Sequence, residues 1–149
     1  MTTTRLDDMP LTPWAARLGY AGLLPFVALA GAAWMAPQAD RAHAAFALLA
    51  YGATIASFLG AIHWGLAMRG SNPPQPGPLL WGIFPSLVAW LALLLPLAQG
   101  LFTLALLLII CLAVDWRSYP SYGVAPWLAM RWRLTAVAVL SLVAGSVAV

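Results

Sequence analysis

Residues 43–68 read HAAFALLAYGATIASFLGAIHWGLAM, and this stretch decides the fold. It contains no Asp, Glu, Lys or Arg, and it exceeds the roughly 20 apolar residues that cross a bilayer as a helix. Lipid offers no hydrogen-bond partners to the backbone, so such a segment is stable in a membrane only as a helix or in a closed barrel. The two-residue alternation of a barrel strand is missing here. The stretch therefore predicts a transmembrane helix.

Four further apolar runs flank this helix. Across the chain 63% of residues are apolar and 7% are charged, which is too little charge to cover a water-soluble domain of 149 residues. The predicted fold is an all-α membrane bundle of five transmembrane helices in one integral membrane domain, residues 1–149. The expected helices cover about 17–36, 43–68, 78–97, 101–116 and 130–149, with Gln99 and Gly100 as the turn between the third and the fourth.

The basic residues, all of them arginines, predict which way the bundle faces. With a cytoplasmic N-terminus, six of the seven arginines lie on the cytoplasmic side and Arg41 lies outside. Cytoplasmic loops carry an excess of basic residues. We therefore expect the N-terminus in the cytoplasm and the C-terminus outside. The arginines expected on the cytoplasmic side are Arg5, Arg17, Arg69, Arg117, Arg131 and Arg133.

Small residues recur along the second helix. Gly52, Ala56 and Gly60 repeat every four residues, and Gly65 belongs to a parallel column of small residues beside them. Helices in membranes associate through close packing of such residues, because apolar side chains gain little by leaving lipid for protein. The pattern predicts that this helix is central to the bundle.

The same helix carries a buried polar candidate, His63. It lies about 20° from Gly52 around the helix axis and about 9 Å along the axis from Arg69, and the fourth helix is expected to bring Asp115 to the same leaflet. Two roles stay open for this polar layer: closing the bundle through hydrogen bonds and a salt bridge, or binding a ligand or handling protons. The candidate residues of the layer are His63, Trp64, Ser57, Asp115, Arg131 and Arg17.

Several kinds of chemistry are excluded by residue content. The net charge of +3 is dispersed among helix ends and forms no basic stripe, so no nucleic-acid partner is expected. Cys111 is the single cysteine, which rules out an intramolecular disulfide and a thiolate metal site. The sequence has no phosphate-binding glycine loop, zinc-protease motif or nucleophile elbow. No catalytic residue and no metal ligand is predicted.

Three segments resemble one known family. Residues 51–65, with the core SFLGAIHWG, are similar to the signature segment of domain-of-unknown-function family 3429. Residues 18–26, and residues 125–128 followed by 130–135, are similar to two further segments of that family. The resemblance implies a small multi-spanning inner-membrane protein and assigns no activity. It picks out Ser57, Gly60, His63, Trp64, Asp115 and Arg131.

The residues leave three functional hypotheses open. The first is a non-enzymatic partner or assembly factor of another membrane protein, possible also through self-association, because the helices leave no extramembrane domain and only one polar layer. The second is a membrane protein that binds a small molecule, a quinone or a five-coordinate haem, or handles protons through His63 and Asp115. The third is an enzyme that acts on a lipid-phase substrate. No cofactor is predicted from the sequence.

The composition predicts a location as well. The chain is rich in alanine and uses arginine as its only basic residue besides histidine, which suits a bacterial protein. No serine-rich, acid-free transit peptide precedes the first apolar run. We therefore expect a multi-pass protein of the bacterial inner (plasma) membrane, surrounded by the lipid bilayer.

Overall fold

The chain folds into a bundle of helices, and the computed structural model describes residues 9–70 and 75–149. Within these residues, five helical segments are long and apolar enough to cross a membrane, as predicted. The first of them is formed by two consecutive helices. The helices are α1 (Pro13–Ala21), α2 (Leu23–Met35), α3 (Gln38–Gly70), α4 (Pro76–Leu93), α5 (Leu97–Ser118) and α6 (Leu128–Val147), with 3-10 turns at Tyr119–Tyr122 and Ala125–Trp127 between α5 and α6.

The first span, expected as one helix from about residue 17, is broken at Gly22. Pro25 has no backbone N–H, so the carbonyl of Ala21 loses its helical partner. The carbonyl of the next residue, Gly22, accepts a hydrogen bond from the Tyr51 hydroxyl on α3, at 2.8 Å. No residue of α1 is buried, whereas α2 buries Phe26 in the core. The break therefore separates a loosely packed α1 from a well-packed α2.

The turn between the third and fourth spans differs from the prediction. Gln99 and Gly100 lie inside α5, and the chain turns at residues 94–96. Pro96 precedes α5 and disfavours helical geometry at Leu95, which accounts for the position of the turn. Gly100 serves packing, because a Cβ atom there would meet the backbone carbonyl of Ala92.

Helix α3 begins before the expected residue 43 and ends after 68. Its first turn contains Asp40, whose negative charge is favourable at a helix N-terminus. At about 1.5 Å per residue this helix is longer than the roughly 30 Å hydrocarbon core, so it projects beyond the bilayer. It packs against α2, α4, α5 and α6, which confirms its predicted central position.

The close helix crossing of α3 lies where small residues were expected, with one exception. A Cβ atom at Gly60 would meet the backbone carbonyl of Gly82 on α4, and one at Gly52 would lie 3.0 Å from Leu104. Ala56 is fully buried between them. The packing role predicted for Gly65 is wrong, because it is exposed and nothing lies within 4 Å of a Cβ there. Five residues beyond Gly60 is about 140° around the helix, on another face.

The direction of the bundle across the membrane stays a prediction. Reporter fusions after Gly70 and after Ser118 should be cytoplasmic, and fusions after Asp40 and at Val149 should be external, because of the distribution of arginines. Phosphatase and fluorescent-protein fusions at each point measure this. A cytoplasmic reporter at Val149 contradicts the expected orientation.

Candidate functional site

Asp115 is the centre of a buried polar cluster. One carboxylate oxygen, Oδ1, lies 2.9 Å from Nε2 of His63. The other, Oδ2, accepts hydrogen bonds from Nε and Nη2 of Arg131, at 2.8 and 2.6 Å. The exposed fractions are 1% for Asp115, 2% for His63 and 6% for Arg131. We call these three residues the ionic cluster.

Three helices supply the ionic cluster. His63 lies on α3, Asp115 near the end of α5 and Arg131 in the first turn of α6. The two 3-10 turns reverse the chain between α5 and α6, and Gly123 adopts a left-handed conformation (φ 69°) that glycine tolerates without strain. This short connection places the end of α5 beside the start of α6. The acid and the arginine therefore meet although sixteen residues separate them.

The donor and acceptor roles in the ionic cluster follow from its hydrogen bonds. An ionised carboxylate only accepts hydrogen bonds, so the N–H at Nε2 of His63 donates a hydrogen bond to Oδ1. A neutral imidazole protonated on Nε2 is sufficient for this bond. The guanidinium of Arg131 is always charged and is balanced by Asp115. Within residues 9–70 and 75–149, no fully buried side-chain nitrogen or oxygen lacks a hydrogen-bond partner.

The structure brings together three of the six predicted layer residues. Arg17 is exposed and its guanidinium lies 5.5 Å from the ring centroid of Trp14, so its predicted place in the layer is wrong. Ser57 donates to the carbonyl of Ala53 in its own helix, at 3.0 Å. Trp64 donates from Nε1 to the Leu79 carbonyl at the start of α4, at 2.8 Å. Ser57 therefore makes a hydrogen bond within α3, and Trp64 makes one between α3 and α4.

Two aromatic residues beside His63 were missed from the sequence. The ring centroids of Tyr119 and Trp81 lie 6.2 and 6.3 Å from that of the imidazole. Tyr119 is buried although it belongs to a 3-10 turn between two spans. Its position after the apolar run of α5 indicated a loop residue at the surface. Only the folding of this turn back into the bundle brings it next to the ionic cluster.

An apolar cavity of about 530 Å³ lies between α1, α2, α3 and α6. Arg131 lines it, whereas His63 and Asp115 lie behind Arg131 and do not. Tyr119 and Thr135 are further polar residues in its wall. The remaining wall consists mainly of apolar side chains, including Leu23, Phe26, Ile55, Leu59, Ile62, Leu66, Leu108, Met130, Leu134 and Ala138.

The cavity is elongated along the bundle. On α3 its lining residues follow one helix face from Ile55 to Arg69, which is about 21 Å along the axis. Leu18 on α1 and Phe58 on α3 border it and are 69% and 63% exposed. Helix α1 packs against α2 and α6 and less closely against α3, so these two exposed side chains mark an edge of the cavity between α1 and α3.

One end of the cavity is covered by hydrogen-bonded backbone. The N–H of Met9 donates to the Gly123 carbonyl at 2.8 Å, and Nε1 of Trp127 donates to the Met9 carbonyl at 3.1 Å. Arg69 donates from Nη2 to the Tyr122 carbonyl at 3.0 Å. Met9, Arg69 and Trp127 all line the cavity. These contacts tie the chain before α1 to the connection between α5 and α6 and to the end of α3.

The geometry does not suit a haem ligated by His63. Its Nε2 is engaged by Asp115, and the imidazole is not part of the cavity wall. A ligand in the cavity would meet Arg131 and Tyr119 instead. The polar groups available to it are hydrogen-bond donors and hydroxyls, which suits a quinone headgroup better than an iron.

The chain was compared with known proteins. A family model described as "Protein of unknown function (DUF3429)" matches residues 11–147. Transmembrane protein 69 of Xenopus tropicalis is 39% identical over 145 residues, which cover 93% of this chain and 54% of that protein. The chain thus spans about half the length of this curated relative. No solved structure matches the chain. The match over residues 11–147, together with this relative, confirms the resemblance, and the chain belongs to the DUF3429 family of proteins of unknown function.

Proposed function

We propose that this membrane protein binds a lipid-soluble small molecule in the cavity between α1, α2, α3 and α6. The observation that carries the proposal is the cavity itself: it is elongated, almost wholly apolar, bordered by the exposed side chains of Leu18 and Phe58, and has one buried arginine in its wall. Binding sites for small molecules are commonly apolar cavities of about 300–1,000 Å³ with a few placed polar groups. This cavity has that size and character.

Binding would depend on the polar end of the ligand. An apolar tail gains little by leaving lipid for a protein cavity, because the two surroundings are similarly apolar. A polar group in the hydrocarbon core lacks hydrogen bonds, and such a group costs several kcal/mol. Hydrogen bonds from Arg131 and Tyr119 would remove that cost. The tail would lie along the face of α3 between Ile55 and Arg69.

The ionic cluster supports this role by holding Arg131 in place. Asp115 engages Nε and Nη2 of the guanidinium, and the same arginine lines the cavity. Tyr119 belongs to the same wall. A ligand oxygen beside the guanidinium would find a donor that is held in a fixed place.

Filling part of the cavity should weaken ligand binding. Ala15 lines it from α1, the least buried helix, and Ala15→Phe should lower binding at least about tenfold, equivalent to about 1.4 kcal/mol. The probe is a benzoquinone with a decyl chain, added to protein in phosphatidylcholine nanodiscs. Retained quinone is extracted and measured by absorbance against protein-free nanodiscs.

Ala21→Phe is the matched control, because Ala21 belongs to the same helix, is exposed and does not line the cavity. It should bind the quinone as the unchanged protein does. Equal retention by both variants, or no retention above protein-free nanodiscs by the unchanged protein, contradicts the proposed function.

Other expectations remain proposals beside this one. A partner or assembly role for another membrane protein is compatible with ligand binding, and co-purification from native membranes tests it. Proton handling by His63 and Asp115 is less favoured, because the cavity wall includes Arg131 and neither of them. The bacterial inner membrane as location rests on the arginine-only, alanine-rich composition, whereas the relative is from a eukaryote.

A further inference from the structure

We infer that the cavity selects a ligand whose polar end is a neutral hydrogen-bond acceptor, a carbonyl oxygen as in a quinone or ketone, and rejects a carboxylate or phosphate of the same size. This inference rests on the proposed function and adds the chemical class of the ligand. An arginine in an apolar cavity would ordinarily indicate an anion. The ionic cluster reverses that expectation here.

The charges within the ionic cluster balance each other. Arg131 carries one positive charge and Asp115 one negative charge, and their nitrogen and oxygen atoms lie 2.6 Å apart. The hydrogen bond between His63 and the second carboxylate oxygen requires no charge on the imidazole. The charges of Arg131 and Asp115 therefore cancel within the ionic cluster. An anionic headgroup beside Arg131 would find its countercharge already used.

An added charge beside Arg131 would be costly. An anionic headgroup would give the ionic cluster a net negative charge in an apolar surrounding, with Asp115 directly behind Arg131. Buried ions cost several kcal/mol each unless they are paired. A neutral oxygen avoids this cost and still accepts hydrogen bonds. The donors in the cavity wall are the guanidinium of Arg131 and the hydroxyl of Tyr119.

A competing anion site exists at the end of the cavity. Arg69 is exposed, lines the cavity and has no acidic partner among the described residues. It lies about 9 Å along α3 from His63. An amphiphile with an ionised head could place that head at Arg69 and its tail inside. The experiment must therefore distinguish a ligand headgroup bound at Arg131 from one bound at Arg69.

Two competitors of nearly equal shape distinguish these two positions. Methyl undecyl ketone and dodecanoate share the undecyl chain and the carbonyl, and differ in that a methyl group replaces the ionised oxygen. Each displaces the decyl benzoquinone from protein in phosphatidylcholine nanodiscs, at a pH at which dodecanoate is ionised in the bilayer. We expect the ketone to compete at least about tenfold better at equal concentration in the lipid.

Three variants test the cause of the preference. Asp115→Asn removes the countercharge and should shift the preference towards dodecanoate by at least about tenfold. The double variant Asp115→Asn with Arg131→Gln is again neutral and should prefer the ketone. Arg69→Gln should leave the ranking unchanged. If Asp115→Asn does not fold, the ranking in the unchanged protein and in Arg69→Gln decides.

The outcomes distinguish the two proposals. If the quinone is retained but dodecanoate competes as well as the ketone, the neutral-head inference is overturned and the binding function stands. If dodecanoate competes better and Arg69→Gln removes that advantage, the head lies at Arg69 and the inference is also overturned. If neither the quinone nor either competitor is retained above protein-free nanodiscs, the proposed function itself fails.

Discussion

Asp115→Asn is expected to lower the free energy of unfolding by about 3–5 kcal/mol, the usual cost of removing one partner of a buried ion pair. Asp115 is 1% exposed and accepts two hydrogen bonds from Arg131. The amide keeps the size of the side chain and loses its charge, which leaves the guanidinium unbalanced at 6% exposure. Equilibrium unfolding by sodium dodecyl sulfate in mixed micelles measures the change.

Two control variants test this interpretation. His63→Gln keeps a donor near Oδ1 and removes no fixed charge, so it should cost only about 0.5–1.5 kcal/mol. The double variant Asp115→Asn with Arg131→Gln should be more stable than the sum of its single changes predicts, because no charge is left unpaired. If Asp115→Asn costs no more than His63→Gln, then Arg131 is not balanced by Asp115 in the folded protein.

The second large effect is expected at Gly60. Gly60→Leu should prevent folding or lower the free energy of unfolding by more than about 3 kcal/mol, because even a Cβ atom there would meet the backbone carbonyl of Gly82. Backbone cannot move aside as a flexible side chain can. The crossing of α3 and α4 would have to open, and Trp64 would lose its contact with Gly82. Expression level and thermal unfolding in detergent measure the effect.

Gly65→Leu is the matched control for Gly60→Leu. It makes the same change in the same helix at an exposed site with nothing within 4 Å of the added Cβ, so we expect a change of about 0.5 kcal/mol or less. Leu106→Gly, at an exposed position of α5, should also be milder than Gly60→Leu. Similar damage from the Gly60 and Gly65 variants would mean that the α3–α4 crossing is not as close as described.

Composition and spacing were sufficient for the fold class, because a membrane restricts the alternatives. Apolar runs of this length can be satisfied in lipid only as helices, so five spans follow from the runs themselves. The central place of α3 follows from Gly52, Ala56 and Gly60, since small residues at this spacing mark a close helix crossing. His63 and Asp115 could be assigned to one polar layer in advance, because both lie in apolar runs, where an ionisable side chain needs a partner.

The tertiary structure alone decided which arginine pairs with Asp115 and where a ligand could lie. Arg17, Arg117, Arg131 and Arg133 all flank spans, and only the reversal of the chain through the 3-10 turns brings Arg131 to the carboxylate. The cavity takes its walls from α1, α2, α3 and α6, which are distant in the sequence. Gly65 matched the small-residue pattern in the sequence. Only the structure shows that it lies on an exposed face of α3, away from the crossing with α4. Hydrophobic spacing determines each helix and its buried face, whereas contacts between distant segments depend on how the helices turn against one another.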